Sequence, residues 1–263
     1  MHQNKLHLPP SRPLVLPASV ILVLIVALST PSARAVDKID GDRLATSDGD
    51  LIIHPINHAT FVMGWKDKTI YVDPVGTGKR FEGLPKPDLI LVTDIHGDHL
   101  SPETLEAVAD AKTTIVAPSA VAEKLSEKLR KQTTVIPNGE TKSLAGVSIE
   151  AVPMYNLTAD RLKYHNQGRG NGYVVTVGGK RVYLSGDTED IPEMRALKNI
   201  DVAFVCMNLP YTMTEDQAAR AVLEFKPKIV YPYHYRDSDT GKFQKLVGSD
   251  SGVEVRLRDW YKP

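Results

Sequence analysis

Apolar and polar positions alternate in short blocks, and the period of the pattern changes in the same order twice along the chain. "LIIHPINHATFVMGW" (51–65) and "KTIYVDPVG" (68–76) are rich in β-branched and aromatic residues. They predict an antiparallel hairpin with a polar turn at Lys66–Lys68, which puts His54 and His58 on one face of one strand. "DLILVT" (88–93) is a continuous apolar run and reads as a buried strand. "SPETLEAVADA" (101–111) predicts a helix with Ser101 as N-cap and Pro102 at the first position. A short strand, "TTIVAPS" (113–119), precedes one amphipathic helix over "AVAEKLSEKLRK" (120–131). The second half repeats this order. "VSIEAVPMYN" (147–156) and "GYVVTVGGKRVYLSGD" (172–187) give three strands, the last two joined at Gly178–Gly179. The apolar strand "DVAFVCMN" (201–208), a helix over "TEDQAARAVLEF" (214–225) capped by Thr214, and the strand "KIVYPYHY" (228–235) follow. Strands first and strand–helix units afterwards, twice over, imply two β-rich layers with helices outside.

The first 35 residues have another pattern. Lys5 and Arg12 precede the apolar run "SVILVLIVAL" (19–28), and "STPSARA" ends in an A-x-A site. This is the layout of a signal peptide cleaved after Ala35. An uncleaved anchor is the alternative, but the run falls short of the ~20 apolar residues of a membrane span. The expectation is a single mature domain over 36–263, periplasmic or secreted, without a stable membrane span. The full chain's 32 basic and 32 acidic residues balance, which excludes a general attraction to nucleic acid or anionic membrane. A single cysteine, Cys206, excludes an internal disulfide and Cys-rich zinc sites. Its place in an apolar strand marks it as a buried small hydrophobe. Any metal must rely on His and carboxylate ligands, and the six histidines beyond the leader stand at 54, 58, 96, 99, 165 and 234.

Four such groups crowd into "DIHGDH", where Asp94, His96, Asp98 and His99 lie between a buried strand and a helix start. No regular face holds all four, but a tight loop can wrap them around adjacent cations. Charged side chains at such a junction are costly unless something pairs with them. Asp187, in "YLSGDTED", and His234, in "YPYHY", also sit just past apolar strands.

Taken in order, "DIHGDH", "SGDT" and "YPYHY" resemble the metallo-β-lactamase-fold hydrolases, whose defining loop is H-x-H-x-D-H. "NHATFVMGW" is similar to the "GHA(S/T)" segment of the branch containing ascorbate-6-phosphate lactonase and N-acylphosphatidylethanolamine phospholipase D types. The resemblance spans residues 50 to 236. It implies an αββα sandwich with its site where loops of both sheets meet. It implies His96 as a ligand of a first metal, Asp98, His99 and His234 as ligands of a second, and Asp187 bridging both. It also implies Asp73 as the carboxylate that orients the histidine loop.

The sequence departs from that pattern in two places. Asp94 replaces the usual first histidine, and a carboxylate favours harder cations. The histidine expected before the "GD" turn falls at or near Asn156, with His165 next downstream and able to reach back. His58 is a candidate to touch a ligand or the substrate. Arg161, Lys163 and Arg169 are candidates to hold an anionic group. Tyr155, Tyr164, Tyr211, Tyr233 and Tyr235 supply hydroxyls for a developing oxyanion, Tyr211 among the site candidates.

Two readings of function follow. In one, two divalent cations, zinc first and manganese or iron as alternatives, lower the pKa of bound water towards about 7. The resulting nucleophile attacks an ester, lactone, amide or phosphodiester of a small molecule, an anionic one if the cationic loop serves it. Asp98 acts both as ligand and as proton acceptor. In the other, the same fold carries an iron redox site, or a metal that only stabilises a binding protein. The resemblance does not fix the substrate, because the loops set it.

Overall fold

The computed structural model describes Met1 and residues 35–261. Residues 2–34, which make up nearly all of the expected leader, lie outside the described residues. None of the described helices is long and apolar enough to cross a membrane.

Sheet one contains β1 (Asp42–Thr46), β2 (Gly49–Asn57), β3 (Thr60–Trp65), β4 (Lys68–Val72), β5 (Leu89–Leu91), β6 (Thr114–Ala117) and β7 (Thr133–Val135), side by side in chain order. β1 to β4 pair antiparallel and β4 to β7 pair parallel. Sheet two repeats the plan with β8 (Thr141–Leu144), β9 (Val147–Met154), β10 (Gly170–Val177), β11 (Lys180–Leu184), β12 (Val202–Cys206), β13 (Ile229–Tyr233) and β14 (Glu254–Val255). There β8 to β11 are antiparallel and β11 to β14 parallel.

Strict alternation in sheet one sorts its side chains. Leu51, Ile53, Phe61, Met63, Ile70, Val72, Leu89 and Leu91 share a buried cluster with the strands of sheet two. Ile52, Val62, Tyr71 and Ile90 point the other way. They are covered by Leu105 and Val108 of α1 (Pro102–Val108), Val121 of α2 (Ser119–Ala122) and Leu129 of α3 (Glu127–Lys131). β12 is buried on both faces, as a parallel strand under helices must be. α4 (Pro192–Arg195), α5 (Glu215–Phe225) and α6 (Thr240–Val247) contribute Met194, Val222, Phe225 and Phe243 to the same core. The molecule is thus two mixed sheets flanked by helices, as the pattern and the resemblance imply.

Capping follows the sequence where the chemistry is explicit. Ser101 accepts from the Thr104 N–H, and Thr214 and Gln217 form a reciprocal capping box on α5. Two expectations need correction. The stretch 120–131 is two helices, because Ser126 turns its side chain back to cap Leu129 N and starts α3 afresh. The stretch 51–65 is two strands, broken at His58, whose φ is +55°. His54 and His58 therefore share no strand face, and the His54 ring bonds to the Asp40 carbonyl instead.

The parallel pairings bring the ends of β4, β5, β11 and β13 to one edge. Cross-sheet bonds fix that edge: Asn171 N–H donates to the Thr93 carbonyl, the Tyr173 hydroxyl to that of Val92, and His234 N–H to that of His58. The long loop after β9 is tied down by one carboxylate. Glu189 accepts from the N–H groups of Leu157 and Thr158 and from Arg161 Nη1, each at 2.6 Å. Replacing Glu189 by Ala leaves the two N–H groups without their acceptor and the Arg161 guanidinium without its counter-charge, with only the Thr212 carbonyl and Gln217 Oε1 as acceptors. It should lower the unfolding free energy by about 3 kcal/mol, read as a lower urea midpoint at unchanged m-value.

A candidate metal centre at the sheet edge

The site starts with Asp73, just past β4. Its two oxygens accept from Thr93 N–H (2.8 Å), Thr93 Oγ1 (2.7 Å) and His99 Nδ1 (2.8 Å). Because His99 Nδ1 carries the donated proton, its Nε2 lone pair is turned away from Asp73. That Nε2 is fully buried, has no hydrogen-bond partner, and lies 3.3 Å from Asp187 Oδ2. Asp187 follows Gly186, whose φ is +60° and whose hypothetical Cβ would sit 2.5 Å from Met154 Sδ. The "GD" turn therefore needs glycine here.

His234, just past β13, places Nε2 at 3.4 Å from Asp187 Oδ1 and 3.3 Å from Asp98 Oδ2. In a tetrahedral site with bonds of ~2.0–2.1 Å, neighbouring donors lie roughly 3.3 Å apart. His99 Nε2, Asp187, His234 Nε2 and Asp98 thus stand close to the spacing of donors around one small cation. His58 belongs to the same cluster but in another role. Tyr261 Oη accepts from Arg236 N–H and pairs with His58 Nδ1, each at 2.6 Å, and His58 Nε2 lies 3.2 Å from Asp98 Oδ2. With the hydroxyl proton given to Nδ1, this network assigns the His58 proton to Nε2, making the ring a donor to Asp98. Burial pushes the His58 pKa down, in keeping with a neutral ring.

A second group gathers Asp94, His96 and His165. His165 Nε2 lies 3.1 Å from Asp187 Oδ2 and 3.9 Å from Asp94 Oδ2, so the loop does deliver this histidine to the site. Asn156 stands behind it. Its amide NH2 donates to the carbonyls of Arg161 and Tyr211, and its backbone N–H to that of His165. His96 Nδ1 is 2.8 Å from Asp94 Oδ2. Asp94 is also gripped in a fork by Arg169, with Nε at 3.1 Å and Nη2 at 3.0 Å.

Charge tests the fit of a cation. Asp73, Asp94 and Asp187 are buried and Asp98 is about one-third exposed, yet Arg169 is the only lysine or arginine paired with any of them among the described residues. Burial pushes the Asp98 carboxyl up, but hydrogen bonds from His234 and His58 outweigh it and hold it far below its usual value. Burial likewise opposes ionisation of Asp187, and the nearby His234 and His99 reverse it. On His99, burial favours the neutral ring, but Asp187 and Asp73 overcome it and favour a positive charge at this position. A site with this field and unpartnered donor atoms suits a bound cation.

Other sequence candidates resolve differently. Arg161 is spent on Glu189 and Arg169 on Asp94, so the expected anion-binding loop is a set of internal ion pairs; Lys163 lies over the Tyr164 ring. Tyr155 bonds Glu193, Tyr233 receives Gly186 N–H, and Tyr235 bonds the Arg258 carbonyl. Only Tyr164 and Tyr211 of those five line the cleft, which encloses about 470 Å³ above His165 and Asp187. Cys206 is buried and its thiol is pushed up to about 12 by burial, so it is inert. Sequence reasoning missed Arg236 and Tyr261. Arg236 had a signal, two positions past His234 in "YHYRD"; Tyr261 had none.

Comparison with known proteins places this geometry. Residues 53–234 match the family described as "Beta-lactamase superfamily domain". A metal-dependent hydrolase of Pyrococcus abyssi is 34% identical over 215 residues, covering 76% of this chain and 93% of the relative. One from Thermococcus onnurineus is 35% identical over 218 residues, with the same coverage. A crystal structure of a protein from Parabacteroides distasonis, described as a metal-dependent hydrolase, superposes with a TM-score of 0.78 at 43% identity, covering 85% of this chain and 100% of that one. The diiron β-hydroxylase CmlA of Streptomyces venezuelae shares the fold at 19% identity, with a TM-score of 0.60 over 79% of this chain and 52% of its own. The matched span covers the His/Asp cluster from Asp73 to His234, and the chain belongs to the β-lactamase superfamily as a metal-dependent hydrolase of the metallo-β-lactamase fold.

Proposed function

We propose that the mature chain is an exported hydrolase of small esters, lactones, amides or phosphodiesters. One cation would be held by Asp98, His99, Asp187 and His234, and a second by Asp94, His96, His165 and the shared Asp187. The observation that carries the reading is the excess of buried carboxylate over basic side chains at the cleft floor, where His99 Nε2 and Asp187 Oδ1 have no hydrogen-bond partner. Such cations supply Lewis acidity and a nucleophile from water near neutral pH. Each set offers two histidines and two carboxylates, which suits zinc, and Asp94 in place of a histidine tilts its own set towards manganese or iron.

The chain's own residues complete the chemistry. Asp98 is the most exposed carboxylate of the four and lines the cleft, which puts it where it can take the proton of an attacking water. His58 fixes Asp98 through Nε2–H and is itself fixed by Tyr261. Asp73 fixes His99. Tyr164 and Tyr211 line the cleft wall against which the substrate lies. The "NHATFVMGW" segment supports placing the chain near the lactonase and phospholipase D branch. The three carboxylates among the proposed ligands, Asp94, Asp98 and Asp187, also favour a second reading, an iron redox centre, and the metal separates the two. Protein purified without chelator should carry zinc or manganese and turn over esters, lactones or phosphodiesters. Iron with substrate-dependent oxygen consumption instead would overturn hydrolysis.

Asp187→Ala should lose most of the bound metal by elemental analysis while circular dichroism and the cooperative melt persist; full metal content would refute the shared site. Arg169→Met should tighten the weaker of the two metal equivalents by about 10-fold or more in equilibrium dialysis. It removes a cation that competes for Asp94, and a buried carboxylate without a partner seeks another. Mass spectrometry of the protein from its native host should find Val36 at the N-terminus. An intact Met1 in soluble cytosol would contradict export.

A further inference from the structure

Arg236 differs from the other arginines around the cleft. Arg161 and Arg169 are committed to Glu189 and Asp94, whereas Arg236 is in no ion pair among the described residues and is exposed. It lines the same cleft as Asp98 and Asp187. Its guanidinium carbon lies 6.0 Å from the centre of the Tyr211 ring, and Tyr211 meets Tyr164 edge-on at 5.0 Å. The residue is also held at a conformational cost. Its φ is +41°, a left-handed conformation that L-residues avoid, and the Tyr261 hydroxyl accepts its N–H at 2.6 Å. The same hydroxyl bonds His58, so the placement of Arg236 is tied to that of Asp98. A strained backbone kept in place to present a charge into a cleft is the mark of a functional constraint.

We propose that Arg236 is the specificity-determining residue of the cleft: it binds a carboxylate or phosphate at the end of the substrate remote from the reacting bond. Tyr164 and Tyr211 form the wall against which a flat or apolar middle portion lies. A planar guanidinium that stands beside an aromatic ring and has no ion pair of its own keeps N–H groups for a fork onto two anionic oxygens. A cleft of about 470 Å³ admits a small molecule that spans from Arg236 to Asp98. The substrate class is therefore small anionic esters or lactones with their charge remote from the bond that breaks. This rests on the hydrolase reading above.

Two esters with one reacting group test it: 4-acetoxybenzoate, with a remote carboxylate, and neutral phenyl acetate. In the zinc-loaded mature protein, Arg236→Gln should raise KM for 4-acetoxybenzoate by about 10-fold or more, leave kcat within a factor of a few, and leave phenyl acetate unchanged. Arg236→Lys should recover part of the loss. Calorimetric titration with 4-hydroxybenzoate and with phenol keeps the test independent of turnover. Wild type should prefer the anion, and Arg236→Gln should abolish the preference. If neither ester is hydrolysed but the anion preference vanishes in Arg236→Gln, the ester part of the hydrolase reading fails and the anion site stands. If Arg236→Gln binds 4-hydroxybenzoate as wild type does, or weakens both probes alike, the assignment of Arg236 is overturned.

Discussion

Four carboxylates converge at one edge of the sandwich, three of them buried, and a single arginine is paired among them. Like charges at such separations repel strongly where water is scarce, and burial adds a desolvation cost for each. Much of the local architecture answers this constraint. Asp73 and Thr93 hold His99, the Tyr261–His58 pair holds Asp98, and Arg169 holds Asp94. Asp187, at the centre, is approached by three histidines at 3.1 to 3.4 Å. Arg169 also explains how the chain accommodates a carboxylate where the H-x-H-x-D-H loop it resembles has a histidine: the added negative charge arrives with a positive partner.

The doubled sheet plan makes this convergence possible. In each sheet an antiparallel meander gives way to parallel strands, and parallel strands send their C-terminal ends the same way. Ligands in open α/β sheets gather at such ends for that reason. His99 comes from one sheet's loops, and Asp187 and His234 from the other's. The hydrogen bonds from Asn171, Tyr173 and His234 across the gap fix the two sets relative to each other.

Strand order of this kind is local in the sequence, and period-two alternation with apolar runs marked nearly all the strands that carry site residues. The site was legible as far as its residues were clustered or followed apolar strands, as with "DIHGDH", Asp187 and His234. Beyond that, side-chain commitments were invisible. Arg161 and Arg169 look alike in a cationic loop, and only the fold shows each turned inward onto a carboxylate. The break at His58 was hidden because no glycine stands at the turn, the positive φ being carried by the histidine itself. Tyr261 lies 203 residues from the ring it touches, beyond the reach of any local pattern.

That positive φ is one of several at this edge. His58, Asp73, His234 and Arg236 are four of the eight non-glycine residues with left-handed backbone among the described residues. Each costs about 1–2 kcal/mol relative to a relaxed residue, so together they take up roughly half the net stability of an ordinary domain. Glycine at any of them would relax the chain and delete the side chain that the conformation exists to present. The sandwich therefore carries a standing conflict between thermodynamic robustness and catalytic competence. Selection for heat resistance alone would be drawn to these four positions, and each step taken there would erode the site.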